Sequence, residues 1–205
     1  MKKILIATHN TAKLSEIMLG IKPLKEKGWT IYSLNDLHIQ KDPEETGKTF
    51  EENAELKARY YAQISNMRTI ADDGGLMIDY LNGEPGVKSK RWMGYETSDL
   101  NLINYTLKKL KNVPLHKRTA YLQTCLCFCD PLSKKIIKES ERIKGYIAEK
   151  PSGKPTHGYP FRALFFVDKY KKYYDELTDK EHQIINHRIK ALRRLIDKII
   201  ADLIQ

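Results

Sequence analysis

Apolar and polar positions along the chain alternate between two rhythms. Residues 2 to 8, KKILIAT, open charged and turn continuously apolar, which predicts a buried strand, and Thr11 to Ile21 follows with Leu14, Ile17, Met18 and Ile21 on one helical stripe. A second strand, WTIYSL (29 to 34), leads through an acidic segment to Thr49, where TFEE offers a capping box from Thr49 to Glu52 and a helix reaching Ser65. RTIADD reads as the next strand, ending at Asp72 and Asp73. It is followed by a turn-rich stretch with Asn-Gly and Pro-Gly dipeptides, then a helix over Ser98 to Leu110 with a Ser-Asp cap. The second half is strand-rich: TAYLQTCLCFC, KKIIKES, RIKGYIAE and RALFFVD. Thr178 to Glu181 is another capping box. Ile185, Ile189, Leu192, Ile196, Ile199 and Leu203 then trace one long amphipathic helix that NHR, Asn186 to Arg188, opens or interrupts. Alternating strands and helices early and clustered strands late predict a mixed α/β fold.

The 205 residues suffice for one domain, and no spacer divides them. With 41% hydrophobic residues the chain is too apolar for disorder. The start MKKILIA mimics a signal peptide, but its apolar run stops at His9 and no later run approaches the roughly 18 residues of a membrane span. A soluble, untargeted, cytoplasmic chain is expected. Cys125, Cys127 and Cys129 share one face of a strand and are badly placed to bond to one another, so reduced core thiols are expected. The net charge of +10 favours an anionic partner without choosing among nucleic acid, nucleotide and phosphate.

Five segments could carry chemistry. THNTAK, Thr8 to Lys13, sits where a strand meets a helix N-terminus, either as a phosphate cradle or as an ordinary capped turn. TGKT, Thr46 to Thr49, imitates the end of a P-loop, but Asp42 stands where that motif needs a glycine and Glu44 and Glu45 follow, so the P-loop is rejected and the acidic run becomes a source of metal ligands. Asp72 and Asp73, with Gly74 and Gly75 leaving room beside the backbone, form either an Asp-Gly turn or a site for a hard cation such as Mg²⁺. Lys57 shares a helix face with Asn53, and His187 and Arg188 could donate to a base carbonyl or a phosphate.

Together, ATHNTAKLSEI, PEETGKTFEENAELKAR, IADDGGLMIDYLNGEPGVKSKRWMG, GYIAEKPSG and INHRIKALRRL resemble, in order and over nearly the whole chain, the house-cleaning purine nucleoside triphosphate pyrophosphatases that act on inosine and xanthosine triphosphates. The resemblance implies an elongated mixed sheet with flanking helices, a single domain of two lobes around a central nucleotide-binding cleft, Mg²⁺ dependence and a homodimer. It implies cleavage between the α and β phosphates. By motif position, Thr8, His9, Asn10, Lys13, Lys57 and Gly74 would hold the phosphates, Glu44 (with Glu45 as its rival) and Asp73 the metal, and Asp73 with its neighbour Asp72 would be catalytic. His157, Gly158, Tyr159, His182, His187 and Arg188 would read the base.

Two departures fall on base reading. The family's phenylalanine-glycine-aromatic-aspartate-proline run is HGYPFR here, with His157 for the phenylalanine and no aspartate, and the lysine usual five residues before the His-Arg pair is His182, with Lys180 two positions away. Shifted or relaxed base selectivity is therefore the alternative within the same chemistry. A basic nucleic-acid-binding protein is the alternative of another class, suggested by the net charge and by Arg188, Lys190, Arg193, Arg194 and Lys198. Since a basic helix is usually a solvated face, nucleic acid is not the expected partner.

Overall fold

The computed structural model describes residues 2–155 and 158–202. Strands β1 (Lys2–Ala7) and β2 (Trp29–Ser33) and helices α1 (Thr11–Gly20), α2 (Lys22–Glu26) and α3 (Phe50–Ser65) come first. They are followed by β3 (Arg68–Ile78), α4 (Asp99–Lys109), β4 (Thr119–Cys129), β5 (Ile136–Ile147), β6 (Phe165–Val167), β7 (Lys172–Tyr173), α5 (Asp179–Ile185) and α6 (His187–Asp202). The strands form one mixed sheet in the order β2-β1-β3-β4-β5-β6-β7. β1 runs parallel to β2 and to β3, with Ile4 opposite Arg68 and Ala7 opposite Ala71. β6 runs antiparallel to both β5 and β7. The α/β class expected from the sequence is the class observed.

The chain divides into two compact units. The first comprises the chain up to Gly74, Thr124–Glu141 and everything from His187 onward; the second comprises Gly75–Gln123 and Arg142–Asn186. In the first, Ile4, Ile6, Ile70, Leu126 and Phe128 from the strands pack with Ile17, Ile21, Leu192, Leu195, Ile196 and Ile199 from α1 and α6. Gly20 closes α1 because a Cβ there would stand 2.7 Å from Leu192 Cδ2, so the glycine lets the two helices approach. In the second, Leu76, Ile78, Leu102, Ile103, Phe165 and Tyr174 surround Trp92, which meets Tyr105 and Phe161 edge-on at 5.2 and 6.3 Å.

Several expected boundaries are corrected. The RTIADD strand does not end at the aspartates but continues to Ile78, because β4 borders β3 after β1 has stopped at Ala7. Asp72 to Gly75 is thus strand, not turn. Gly75 leaves no room for a ligand: a Cβ there would collide with Ser89 Oγ, which donates to Gly86 O at 2.6 Å and accepts from the Leu76 amide at 3.1 Å. KKIIKES and RIKGYIAE merge into β5, whose Lys138, Ser140, Arg142 and Lys144 alternate outward without a break. The start of RALFFVD, Arg162 and Ala163, belongs to a short 3₁₀ turn, Pro160–Ala163, so the strand β6 is only Phe165–Val167. The last helix is interrupted, since Asn186 adopts φ −57° and ψ 115° between α5 and α6. The Thr178–Glu181 capping box forms as expected.

Arg118 orders the second unit. Its buried guanidinium donates to Val113 O at 2.9 Å, Leu110 O at 2.9 Å and Ala148 O at 3.2 Å, joining the end of α4 to the segment after β5. A cation at a helix C-terminus also offsets the partial negative charge of the carbonyls there. Arg118→Met keeps the stem and strands three buried acceptors, so unfolding in urea should report a loss of about 3–5 kcal/mol. A loss under about 1 kcal/mol would mean that these carbonyls find other donors.

Candidate functional site

The site residues of the first unit gather on two neighbouring aspartates that are treated oppositely. Asp72 is 2% exposed. Lys13 Nζ from α1 lies 2.7 Å from its Oδ1, while Arg188 Nε from α6 donates to its Oδ2 at 3.0 Å and Thr124 Oγ1 from β4 donates to the same oxygen. Burial alone would push this carboxyl up, but Arg188 and Lys13 outweigh it and hold Asp72 far below the usual carboxylate range. Arg188 Nη1 also meets Glu16 Oε2 at 2.5 Å.

Asp73 points its carboxylate to a different cation. Lys57 Nζ on α3 is 3.0 Å from Asp73 Oδ1 and 3.0 Å from Glu45 Oε1, so two carboxylates share one ammonium. Burial raises the Asp73 carboxyl above its ordinary range; Lys57 and Lys13 pull against that rise and Glu45 adds to it. For Lys57 burial works toward a lower value, but Asp73, Glu45 and Asp72 hold the ammonium above its usual range. Asp73 Oδ2 is buried and accepts no hydrogen bond among the described residues. One aspartate is locked as an anion, and the other keeps an oxygen for something else.

The remaining first-unit candidates are placed as follows. Asn10 caps α1, its Oδ1 accepting from the Ala12 and Lys13 amides at 3.0 Å, and Thr8 Oγ1 accepts from the Asn10 amide at 3.2 Å. The capped turn is therefore real, and of this turn's side chains it is Lys13 that reaches the aspartates. His9 Nε2 lies 3.8 Å from Asp42 Oδ1, an ion pair only when His9 is protonated. Glu44 is exposed, whereas Glu45 is the glutamate drawn to Lys57. Gly74 lies within β3, half-buried. Only half of the Thr49–Glu52 capping box forms: Thr49 Oγ1 accepts from the Glu52 amide at 3.1 Å, but Glu52 Oε2 accepts from the Lys48 amide at 2.5 Å. His187 and Arg188 are buried at the start of α6.

The other base-reading candidates belong to the second unit. His157 lies outside the described residues. The Gly158 amide donates to Asp99 Oδ2 at 3.0 Å, and Tyr159 lies beneath the Arg162 guanidinium, 3.4 Å from ring centroid to Cζ. Arg162 also covers the Tyr174 ring at 4.8 Å, and His182 meets that ring edge-on at 4.9 Å. Lys180 is exposed.

Two participants escaped the sequence reading. Thr124 is a fully buried hydroxyl in the apolar TAYLQTCLCFC strand, a polar residue at a core position being the signal. Glu16 stands three residues after Lys13 on α1, the spacing of side chains that share a helix face.

No three His, Cys, Asp or Glu side chains gather to hold a metal ion among the described residues. Asp73 and Glu45 supply two hard carboxylates and one orphaned buried oxygen. That set suits a hard cation arriving with phosphate oxygens rather than an all-protein cage. The cysteines are buried thiols; burial pushes Cys125 up to about 11 and raises Cys127 and Cys129 as well, which makes them inert. The basic face of α6 is partly neutralised, with Arg194 held by Glu139 at 2.8 Å and Glu141 at 2.9 Å and Lys198 by Glu139 at 2.5 Å. No helix among the described residues is long and apolar enough to cross a membrane.

Many known proteins are similar to this chain. The chain is 39% identical over 198 residues to a dITP/XTP pyrophosphatase of Thermoanaerobacter pseudethanolicus, covering 97% of this chain and 96% of that protein. It is 38% identical over 195 residues to a dITP/XTP pyrophosphatase of Bacillus subtilis, covering 95% and 96%. Its fold matches the Ham1 protein structure from Staphylococcus aureus with a TM-score of 0.83 at 32% identity, over 98% of this chain and 100% of that one. The Ham1 family pattern spans residues 4–198, taking in both aspartates, both lysines and Arg188, and the chain belongs to the Ham1 family.

Proposed function

We propose that the protein hydrolyses purine nucleoside triphosphates, inosine, xanthosine and their deoxy forms foremost, between the α and β phosphates to a nucleoside monophosphate and pyrophosphate, with Mg²⁺ as cofactor. The relatives named dITP/XTP pyrophosphatase support the substrate class. The observation that carries the chemistry is the contrast between Asp72, fixed as an anion by Arg188 and Lys13, and Asp73, raised and with Oδ2 uncommitted. Adjacent carboxyls whose environments push them apart divide structural and proton-accepting roles.

In this reading Asp73 accepts the proton of a water that attacks the α-phosphorus, its raised carboxyl being the better base. Lys57 and Lys13 offset charge on the phosphates, and Thr8 and Asn10 shape the turn beside them. Asp73 and Glu45 hold Mg²⁺, which supplies charge neutralisation on the triphosphate when bound. Asp72 orients Lys13 and Arg188. No covalent nucleophile is needed. The active species is read as a cytoplasmic homodimer on the strength of the resemblance, which sedimentation of the purified chain tests.

Pyrophosphate release from a panel of triphosphates, with Mg²⁺ and with chelator, is the direct test. Inosine and xanthosine triphosphates should exceed adenosine and guanosine triphosphates by about tenfold or more in kcat/KM, and chelator should abolish turnover. Equal turnover of all four would favour relaxed base selectivity, and absence of release from any would overturn the reading.

Asp73→Asn removes the proton acceptor and should lower kcat by roughly 10²–10⁴-fold while leaving the protein folded. Full turnover in that variant would exclude Asp73 as the base.

Asp72 makes a prediction in pH. Its folded pKa lies below the unfolded value of about 3.9, so its ionised form stabilises the fold above that pH and the contribution fades as pH falls through the folded value. Metal-free Asp72→Asn, which takes the carboxylate charge away from Lys13 and Arg188, should therefore be less stable than wild type by about 3–5 kcal/mol at neutral pH. The gap in urea midpoints should narrow below pH ~4. A gap that is constant with pH would show that lost packing, not charge, is responsible.

A further inference from the structure

The acidic segment before α3 is fastened back along its own helix at successive points. Glu52 and Thr49 close the helix start. One step out, the Gly47 amide donates to Asn53 Oδ1 at 2.8 Å, and Asn53 is 1% exposed. A Cβ on Gly47 would stand 2.5 Å from that oxygen and 2.9 Å from the Asn53 amide, so the approach requires glycine. Next, Glu45 meets Lys57 at 3.0 Å. Last, Tyr61 OH donates to Asp42 Oδ1 at 2.5 Å, with Tyr61 fully buried. Asn53, Lys57 and Tyr61 are spaced four residues apart and share one helix face, and their partners Gly47, Glu45 and Asp42 run back along it in reverse order.

We propose that Asp42 and Tyr61 are positioning residues for the metal-holding carboxylate Glu45. The Asn53 contact fixes the segment on one side of Glu45 and the Tyr61 contact fixes it on the other, so Glu45 is held beside Lys57 and Asp73 before any cation arrives. The same fastening selects Glu45 over Glu44, since neighbouring residues of an extended segment point to opposite sides and Glu44 is exposed. The distal contact is the vulnerable one: Asp42 is itself largely exposed, so its tie depends on the single Tyr61 hydroxyl and, when protonated, on His9.

This inference rests on the proposed Mg²⁺-dependent reaction, and one pair of measurements separates the two. Tyr61→Phe, Asp42→Ala, Asp42→Asn and the Tyr61→Phe/Asp42→Ala double variant are compared by deuterium uptake over residues 40–48 of the metal-free protein and by the Mg²⁺ concentration giving half-maximal pyrophosphate release. Tyr61→Phe and Asp42→Ala should each speed uptake in that segment and raise the half-saturating Mg²⁺ about fivefold, the change expected of one lost hydrogen bond, with kcat at saturating Mg²⁺ within about twofold of wild type. Asp42→Asn, which keeps an acceptor oxygen, should recover most of what Asp42→Ala loses, and the double variant should be no worse than either single one because both remove the same contact. Unchanged uptake and unchanged Mg²⁺ dependence in both single variants, or additive losses in the double one, would overturn the proposal. A wild-type protein that released no pyrophosphate would instead defeat the proposed function, while the uptake comparison would still decide whether the contact orders the segment.

Discussion

Burying the Asp72 carboxylate costs several kcal/mol unless cations and hydrogen-bond donors reach it, and in the first unit each donor comes from a different element. Lys13 comes from α1, Arg188 from α6 and Thr124 from β4, while Asp72 itself is on β3. These elements are far apart in sequence, so the charge is satisfied only when the unit is assembled. The apolar contacts of α1 and α6 at Gly20 and Leu192 bring the two cations to the same strand. Packing and electrostatics thus specify the same arrangement, which is the consistency across levels that gives a fold a unique answer.

That arrangement also frees its neighbour. Successive residues of a strand point to opposite faces, so the Asp73 carboxylate turns to Lys57 on α3 instead. There the supply of charge is deliberately short: Lys57 faces both Asp73 and Glu45, and a buried oxygen is left over. A deficit of one positive charge beside a buried acceptor is unfavourable in isolation, and it is what the proposed cation and its phosphates would offset.

Much of this was legible in the sequence, and what was missed has physical causes. The early elements follow from period and caps, because Leu14, Ile17, Met18 and Ile21 and the cap residues Asn10, Thr49, Ser98 and Thr178 signal locally. The continuation of β3 to Ile78 was hidden because Asp-Gly favours turns in isolation, and only the partner strand β4 and the insertion of Ser89 against Gly75 override that preference. The aspartate pair and both lysines could be named from motif position, yet the opposite charge states of Asp72 and Asp73 depend on Arg188, more than a hundred residues away. That Glu45 rather than Glu44 meets Lys57 was not legible in sequence, since the facing helix α3 decides it.

Arg188 carries a double obligation. Its Nε serves Asp72 and its Nη1 serves Glu16, two carboxylates at different angles that a planar fork can reach together. A lysine at this position would bring the same charge but a single point donor, so it could not serve both carboxylates in the same forked geometry. A polar ligand drawn to Arg188 would compete with these two contacts. Exchange would release Glu16 before Asp72, because Asp72 is the more deeply buried of the two and loses more when its cation leaves. Arg188 for that reason ties the charge state of Asp72 on β3 to Glu16 on α1, and a substitution there disturbs both together.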